Sequence, residues 1–406
     1  MSEWKLKDCC LSISDGDHLP PPKTDKGIPF ITISNISSTN HIDFKDTLFV
    51  PKAYYDNLDK IRKPQPNDII YSVVGSFGKP VLIKENKQFV FQRHIAILRP
   101  NNEVVDSRFL YYVMLSRDFY MQADTVAIGA AQRTISLTSL RNMKVNLPPL
   151  PTQHRIATIL SRYDSLIENY QKQIKLLEEA AQRLYKEWFV DLHFPGHENT
   201  KIVDGVPEGW EKKTIDDVTC KVTTGLNPRK NFVLGKGSNY YVTIKNMADN
   251  TLFLDDGCDR VDNEALEKIN KRSDLKIGDI LFSGIGTIGR VALVDIPTNN
   301  WNVSESVFTL RVNDIVTKEF LYLMLLSPDM QNYCQSNAHG AAQKGIRMAD
   351  LKAYSFNLPP FGVIQKFTNL VTPTIKKVSS IRNQIRLLTE ARDRLLPRLM
   401  SGDIKV

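Results

Sequence analysis

Gly284-Ile285-Gly286-Thr287-Ile288-Gly289 has the Gly-x-Gly-x-x-Gly spacing that lets a backbone approach a pyrophosphate, and His193 and His197 stand four apart, as metal ligands do on one helix face. Neither pattern keeps the context its chemistry needs. A dinucleotide loop opens a helix, whereas Arg290-Val291-Ala292-Leu293-Val294 is strand text, so the glycines are expected to turn a hairpin. Pro195 and Gly196 between the two histidines prevent a helix there, and His18, His41, His94, His154 and His339 are scattered. No Walker loop, nuclease carboxylate–lysine cluster or Ser/His/Asp order stands out, so no catalytic residue and no metal ligand is assigned. What the chain does carry is a set of polar and cationic loop residues. In the first half these are Ser76, Lys79, Gln92, Arg93, His94, Gln132 and Arg133; in the second they are Arg229, Lys230, Thr287, Arg290, Gln343, Lys344 and Arg347. Arg and Gln can hold base edges through paired hydrogen bonds, and Lys and Arg can neutralise phosphates. That chemistry is binding, not catalysis.

Two further motifs read as scaffold. Leu147-Pro148-Pro149-Leu150 and Leu358-Pro359-Pro360-Phe361 resemble the Pro-Pro-aromatic motif of amino-methyltransferases, but a leucine replaces the polar residue that would hold the amino group. The prolines are expected to stop a domain instead. Gly129-Ala130-Ala131-Gln132 recurs as Gly340-Ala341-Ala342-Gln343. If the two halves bind different sequences, text shared by both suits a scaffold or phosphate contact better than base readout.

The elements that must position these loops are two long helices. From Gln153 to Trp188 the apolar positions are Ile156, Ile159, Tyr163, Leu166, Tyr170, Ile174, Leu177, Ala181, Leu184 and Trp188, in steps of 3 and 4 with one extra 4. No Gly or Pro interrupts these 36 residues, a rod of roughly 54 Å. A second seam follows at Val378, Ile381, Ile385, Leu388, Ala391, Leu395 and Leu399, and it supplies a partner within the chain. Pro373 is expected to divide that second region into Val363–Val371 and a longer piece capped by Thr372. Thr152 is the expected cap of the first helix.

Gln384-Ile385-Arg386-Leu387-Leu388 lies 211 positions after Gln173-Ile174-Lys175-Leu176-Leu177, and the same offset relates Thr32-Ile33-Ser34-Asn35 to Thr243-Ile244-Lys245-Asn246. Asp68-Ile69, Ser72, Gly75 and Gly78 likewise match Asp279-Ile280, Ser283, Gly286 and Gly289, and Phe109-Leu110-Tyr111 matches Phe320-Leu321-Tyr322. The chain is therefore a tandem duplication. The expected segments are 1–150 and 210–360 as globular units of mixed α and β, 151–194 as the first long helix, 195–209 as a linker, and 361–406 as the second helix and tail. The fold class is α+β: two tandem domains separated by two helices that form an antiparallel coiled coil. Each unit is long enough for its own core.

The net charge of +8 suits a polyanionic partner. No apolar run approaches the ~20 residues of a membrane span, and the charged start argues against a leader peptide. Five cysteines without a Cys-x-x-Cys point to reduced thiols in a cytoplasmic protein.

Two unlike halves, Leu-Pro-Pro before each helix, Gly-Ala-Ala-Gln in each half, Asn67-Asp68-Ile69 and Gly278-Asp279-Ile280, and the tail Ser401-Gly402-Asp403-Ile404 together resemble the specificity subunit of type I restriction-modification systems, over essentially the whole chain. The resemblance implies two target recognition domains, each reading half of a split, asymmetric site in double-stranded DNA, with the coiled coil as a ruler. It also implies docking of two modification (methyltransferase) subunits that carry S-adenosylmethionine, and of restriction subunits that use ATP and Mg; no cofactor is expected on this chain. Two other readings are a catalytic DNA adenine methyltransferase, which would need the missing donor pocket, and a coiled-coil adaptor that does not bind DNA.

Overall fold

Strand alternation decides which side chains each sheet turns to which neighbour, and both halves use the same scheme. The computed structural model describes residues 2–16, 21–37, 40–130, 132–340 and 344–406. It divides into one unit of Met1–Asn169 with Ile385–Val406 and a second of Tyr170–Gln384.

In the first unit a four-stranded antiparallel sheet runs in the order Cys10–Asp15, Ile95–Pro100, Ile69–Ser72, Pro80–Leu82. Ile69, Tyr71, Ala96 and Leu98 face one way, into a core with Phe109, Leu110, Phe119 and Ala123 of the helices Ser107–Leu115 and Arg117–Val126. Ile70, Ile95 and Ile97 face the other way, onto Ile31, Phe89 and Phe91 around the sheet of Leu48–Val50, Ile28–Ile31 and Val90–Phe91. Successive residues of a strand point to opposite faces, so a strand buried on both sides has to be apolar throughout. The second unit repeats this with Thr219–Thr224, Val307–Val312, Ile280–Ser283 and Val291–Leu293. There Ile280, Phe282, Phe308 and Leu310 face Phe320, Leu321 and Met330, while Leu281 and Val307 face Val242, Trp301 and Val303. The glycine run is a hairpin turn, with Ile280–Ser283 antiparallel to Val291–Leu293.

In each half the opening strand pairs with the strand that leads into Leu-Pro-Pro: Ser2–Lys5 with Lys144–Leu147, and Glu211–Thr214 with Ser355–Leu358. The long helices follow at Leu150–Phe189 and Phe361–Ser401 and pack antiparallel. In the first unit Ile156, Ala157 and Leu160 share a core with Leu399, and Arg392 Nη1 donates to Asp164 Oδ1 at 2.7 Å. In the second unit Arg382 Nη2 donates to Glu178 Oε1 at 2.5 Å, and the Trp188 and Phe367 rings lie 5.7 Å apart. Among the described residues no helix is long and apolar enough to cross a membrane.

Three helix boundaries differ from the sequence expectation. The first helix begins at Leu150, so Pro151 lies in its first turn, where a proline lacks only a donor the turn does not need, and Thr152 is already helical. It ends at Phe189, with Leu192 in the left-handed region at φ 62°. The second helix runs through Pro373 unbroken. Pro373 is exposed, while Ile364, Phe367, Val371, Val378 and Ile381 on either side are buried, so packing along the seam holds the helix across the lost hydrogen bond. The hydroxyl of Thr372 donates to the Thr368 carbonyl at 2.7 Å in the same turn.

Each domain is also tied to the helix that follows it. Lys84 and Glu168 form an ion pair, with His41 Nε2 at 3.2 Å from the same carboxylate oxygen. At the offset of 211 from both Lys84 and Glu168 stand Asp295 and Ser379, which are hydrogen-bonded. The bond from His41, followed by the Lys84 ammonium, lowers the Glu168 carboxyl from 4.5 to about 2.

Replacing Pro373 by alanine restores a helical donor at an exposed site and is expected to stabilise the chain by roughly 1–3 kcal/mol in urea unfolding; a loss of stability would mean that the ring itself is packed. Glu168 has a depressed folded pKa, so its contribution is complete above the unfolded value near 4.5 and disappears as pH falls toward 2. Glu168→Gln is therefore expected to flatten the stability–pH curve between those limits by roughly 1–3 kcal/mol after allowing for solvent screening. An unchanged slope would show that the tie carries no free energy.

Candidate functional site

One buried serine organises the loop edge of each half. In the first, Ser72 ends its strand and is fully buried. Its hydroxyl donates to the Ser76 carbonyl at 2.9 Å and accepts from the Lys79 amide at 2.9 Å. Gly75 and Gly78 take φ of 68° and 90°, a backbone region closed to most side chains, so the turn is tight and presents Ser76 and Lys79 at its rim. In the second half Ser283 Oγ donates to the Thr287 carbonyl at 2.6 Å and accepts from the Arg290 amide at 2.8 Å, with Gly286 and Gly289 at φ 84° and 92°.

Two neighbouring segments are hydrogen-bonded to that turn. The Val73 amide donates to the His94 carbonyl at 3.0 Å, and the Gly75 amide to the Arg133 carbonyl at 2.9 Å. The counterparts are Gly284 to Ser306 at 2.9 Å and Gly286 to Lys344 at 2.7 Å. The loop of Gly129 and Gln132 is held at Ile128 and Thr134 by reciprocal backbone bonds of 2.9 and 2.8 Å, matched by two bonds of 2.8 Å between His339 and Gly345. A Cβ on Gly129 would lie 2.6 Å from the Gln132 carbonyl oxygen, which explains the glycine.

The structure therefore gathers Ser76, Lys79, Arg93, His94, Gln132 and Arg133 at one edge of the first domain. Ser76, Arg93 and Gln132 are exposed, while Lys79, His94 and Arg133 are half-buried. Burial, and then the neighbouring Arg93, hold the His94 imidazole below its ordinary value, so it is neutral at pH 7 and offers one donor and one acceptor. Arg133 is committed: its guanidinium pairs with Asp124, donates to that residue's carbonyl, and lies 5.4 Å from the Phe77 ring centre. At the second edge Thr287 and Lys344 are exposed, and Arg290 is half-buried with its guanidinium donating to the Ile244 carbonyl at 2.9 Å. Arg347 is exposed at the start of the helix Met348–Lys352, where the first half has the capping Ser136. Arg229 and Lys230 are exposed on the short helix Pro228–Asn231, just after Gly225 donates to the Ser304 carbonyl at 3.2 Å. Gln343 lies outside the described residues.

Along the helices Trp188, Val378 and Ile381 are buried, and Ile159, Tyr163, Tyr170, Ile174, Leu177, Leu184, Ile385, Leu388 and Leu395 are half-buried. Leu166 is 37% exposed, and Ile167 beside it is buried. Leu-Pro-Pro has a scaffold part in the first half, where the buried Gln153 amide donates to the Pro148 carbonyl at 2.9 Å. Three residues at the first edge escaped the sequence reading. Phe77 and Tyr120 stack at 5.8 Å, and Ile128 projects from the loop. Their signal is that they differ from Ile288, Gln331 and His339 at the repeat offset.

A family model described as "Type I restriction modification DNA specificity domain" matches residues 2–179 and again residues 207–385. The chain is 27% identical over 312 residues to the type I restriction enzyme MjaIX specificity subunit of Methanocaldococcus jannaschii, covering 76% of this chain and 71% of that protein. It is 23% identical over 389 residues to the EcoBI specificity subunit of Escherichia coli, covering 88% and 75%. The crystal structure of the type I restriction-modification S subunit from M. genitalium has the same fold, with a TM-score of 0.59 at 18% identity over 98% of this chain and 95% of that one. Two copies of the family's domain account for both halves and most of their helices, and the chain therefore belongs to the type I restriction-modification specificity family, as a non-catalytic subunit that recognises DNA through two target recognition domains.

Proposed function

We propose that each recognition domain reads one half of a split, asymmetric site in duplex DNA through the serine-clipped turn and the two segments bound to it. The observation that carries this reading is one backbone constellation built twice with different side chains at its rim: Ser76, Lys79 and Arg133 in one copy, Thr287, Arg290 and Lys344 in the other. Hydroxyl and imidazole groups suit base edges, and the exposed Lys344, Arg93, Arg229 and Lys230 suit phosphates, so affinity falls steeply with salt. The paired helices act as the ruler that sets the gap between half-sites, on the order of one DNA turn of 34–36 Å. Two modification subunits, which hold S-adenosylmethionine, dock on this chain, and restriction subunits supply ATP- and Mg-dependent chemistry.

Removing one seven-residue step from both helices is expected to shorten the recognised spacer with the half-site sequences unchanged, as read by mapping methylated bases; an unchanged spacer would refute the ruler. Exchanging residues 205–360 for the same segment of another family member is expected to alter one half-site and leave the other intact. If both halves change together, the two domains do not read separately.

A further inference from the structure

Ile128 is 74% exposed, more than any other large hydrophobic side chain among the described residues. Single exposed apolar residues are ordinary, but this one is neither at a chain end nor on a loose tip. Its amide and carbonyl both bond Thr134, and the adjoining Arg133 carbonyl is fastened to the Gly75 amide. A β-branched side chain between fixed backbone bonds has few rotamers and projects as a stiff finger. It stands at the edge that carries Lys79, Arg93 and Gln132, where a cationic and amide rim complements a phosphate backbone. In the second half the same loop, with the same bonds, presents His339 at that point, 52% exposed at its side chain. The frame is conserved between the copies and the finger is not, which is the pattern of a readout position.

We infer that Ile128 is a specificity-determining contact of the first recognition domain and that its ligand is the 5-methyl group of a thymine in the major groove. Thymine is the only base with an apolar group on that edge. His339, at the matching place, has its Nε2 3.3 Å from the Asp350 carboxylate and offers no apolar finger there. The inference rests on the two-domain reading above.

The test uses the full chain assembled with its modification subunits and a duplex selected by that assembly from a random pool. Each thymine of the site is replaced in turn by deoxyuridine, which removes only the methyl group. At one position of one half-site the wild-type assembly is expected to lose binding about fourfold, the worth of one buried methyl. Ile128→Ala should bind the thymine duplex with the same loss and be indifferent to uracil at that position, with the other half-site unaffected. Indifference of the wild type to every uracil, persistence of the uracil effect in Ile128→Ala, or failure of Ile128→Ala to assemble with the modification subunits would each overturn the inference. The two-domain reading is judged separately, by whether the wild type selects a bipartite sequence at all; a pool with no preferred sequence would sink both.

Discussion

The apolar seam between the two long helices is the constraint on which the remaining structure depends. A helix of 40 residues has far more length than one domain can cover, and an uncovered apolar stripe in water is unfavourable in proportion to its area. The first unit solves this with chain from the opposite end of the sequence, and the second by packing the two ends of its own stretch, Tyr170–Gln384, on each other. Leu399, 1% exposed, completes the core of the first unit although it lies seven residues from the last residue. Ile364, Phe367 and Val371 pack with Tyr185 and Trp188 in the second. Neither repeat finishes its core without the long helix of the other. Half-buried ion pairs add register to this packing: Asp164 receives both Arg392 and the Tyr112 hydroxyl, and Glu178 receives Arg382. Sliding one helix by a turn would strand these charges beside apolar neighbours, a penalty larger than the net worth of the pairs themselves.

The text shared by the two halves turns out to be hardware. Asp68 and Asp279 are almost fully buried, and each takes two bonds from one arginine, Arg99 or Arg311, and one from a turn amide at Gln65 or Lys276. Thr32 with Asn35 and Thr243 with Asn246 close matching capping boxes. Ser72 and Ser283 clip the two turns. A buried polar group without its partner costs more than the bond contributes when made, so these residues cannot drift singly, and their identity over the duplication follows from that asymmetry.

Much of this was legible in order along the chain. The steps of 3 and 4 marked the helices, the fixed offset exposed the duplication, and the strand text after Gly289 distinguished a hairpin from a cofactor loop. What escaped was non-local. Pro373 reads as a break because helix propensity is local, whereas the seam that overrides it is assembled from distant residues. Arg133 and Arg290 look in the sequence like free cations, yet their guanidinium groups are tied to Asp124 and the Ile244 carbonyl. Arg99 and Arg311 lie 212 apart, one residue off the repeat offset, so a search at 211 finds their aspartates and misses the arginines. Ile128 carries no motif; its interest comes only from exposure on a fixed loop.

A frame held by buried polar residues and an apolar seam leaves the rim free to change. Side chains such as Ile128, Ser76 and Gln132 are exposed and take no part in the cores, so substitutions there disturb stability little. The ties between domain and helix behave in the same way at one remove. Lys84 with Glu168 and Asp295 with Ser379 occupy matching places with unlike chemistry, an ion pair in one half and a neutral–anion hydrogen bond in the other. What persists is the point of contact, while the chemical type of the tie differs between the halves. Recognition can therefore diversify through side chains that the fold does not need, while the geometry that presents them is preserved by groups that cannot be altered one at a time.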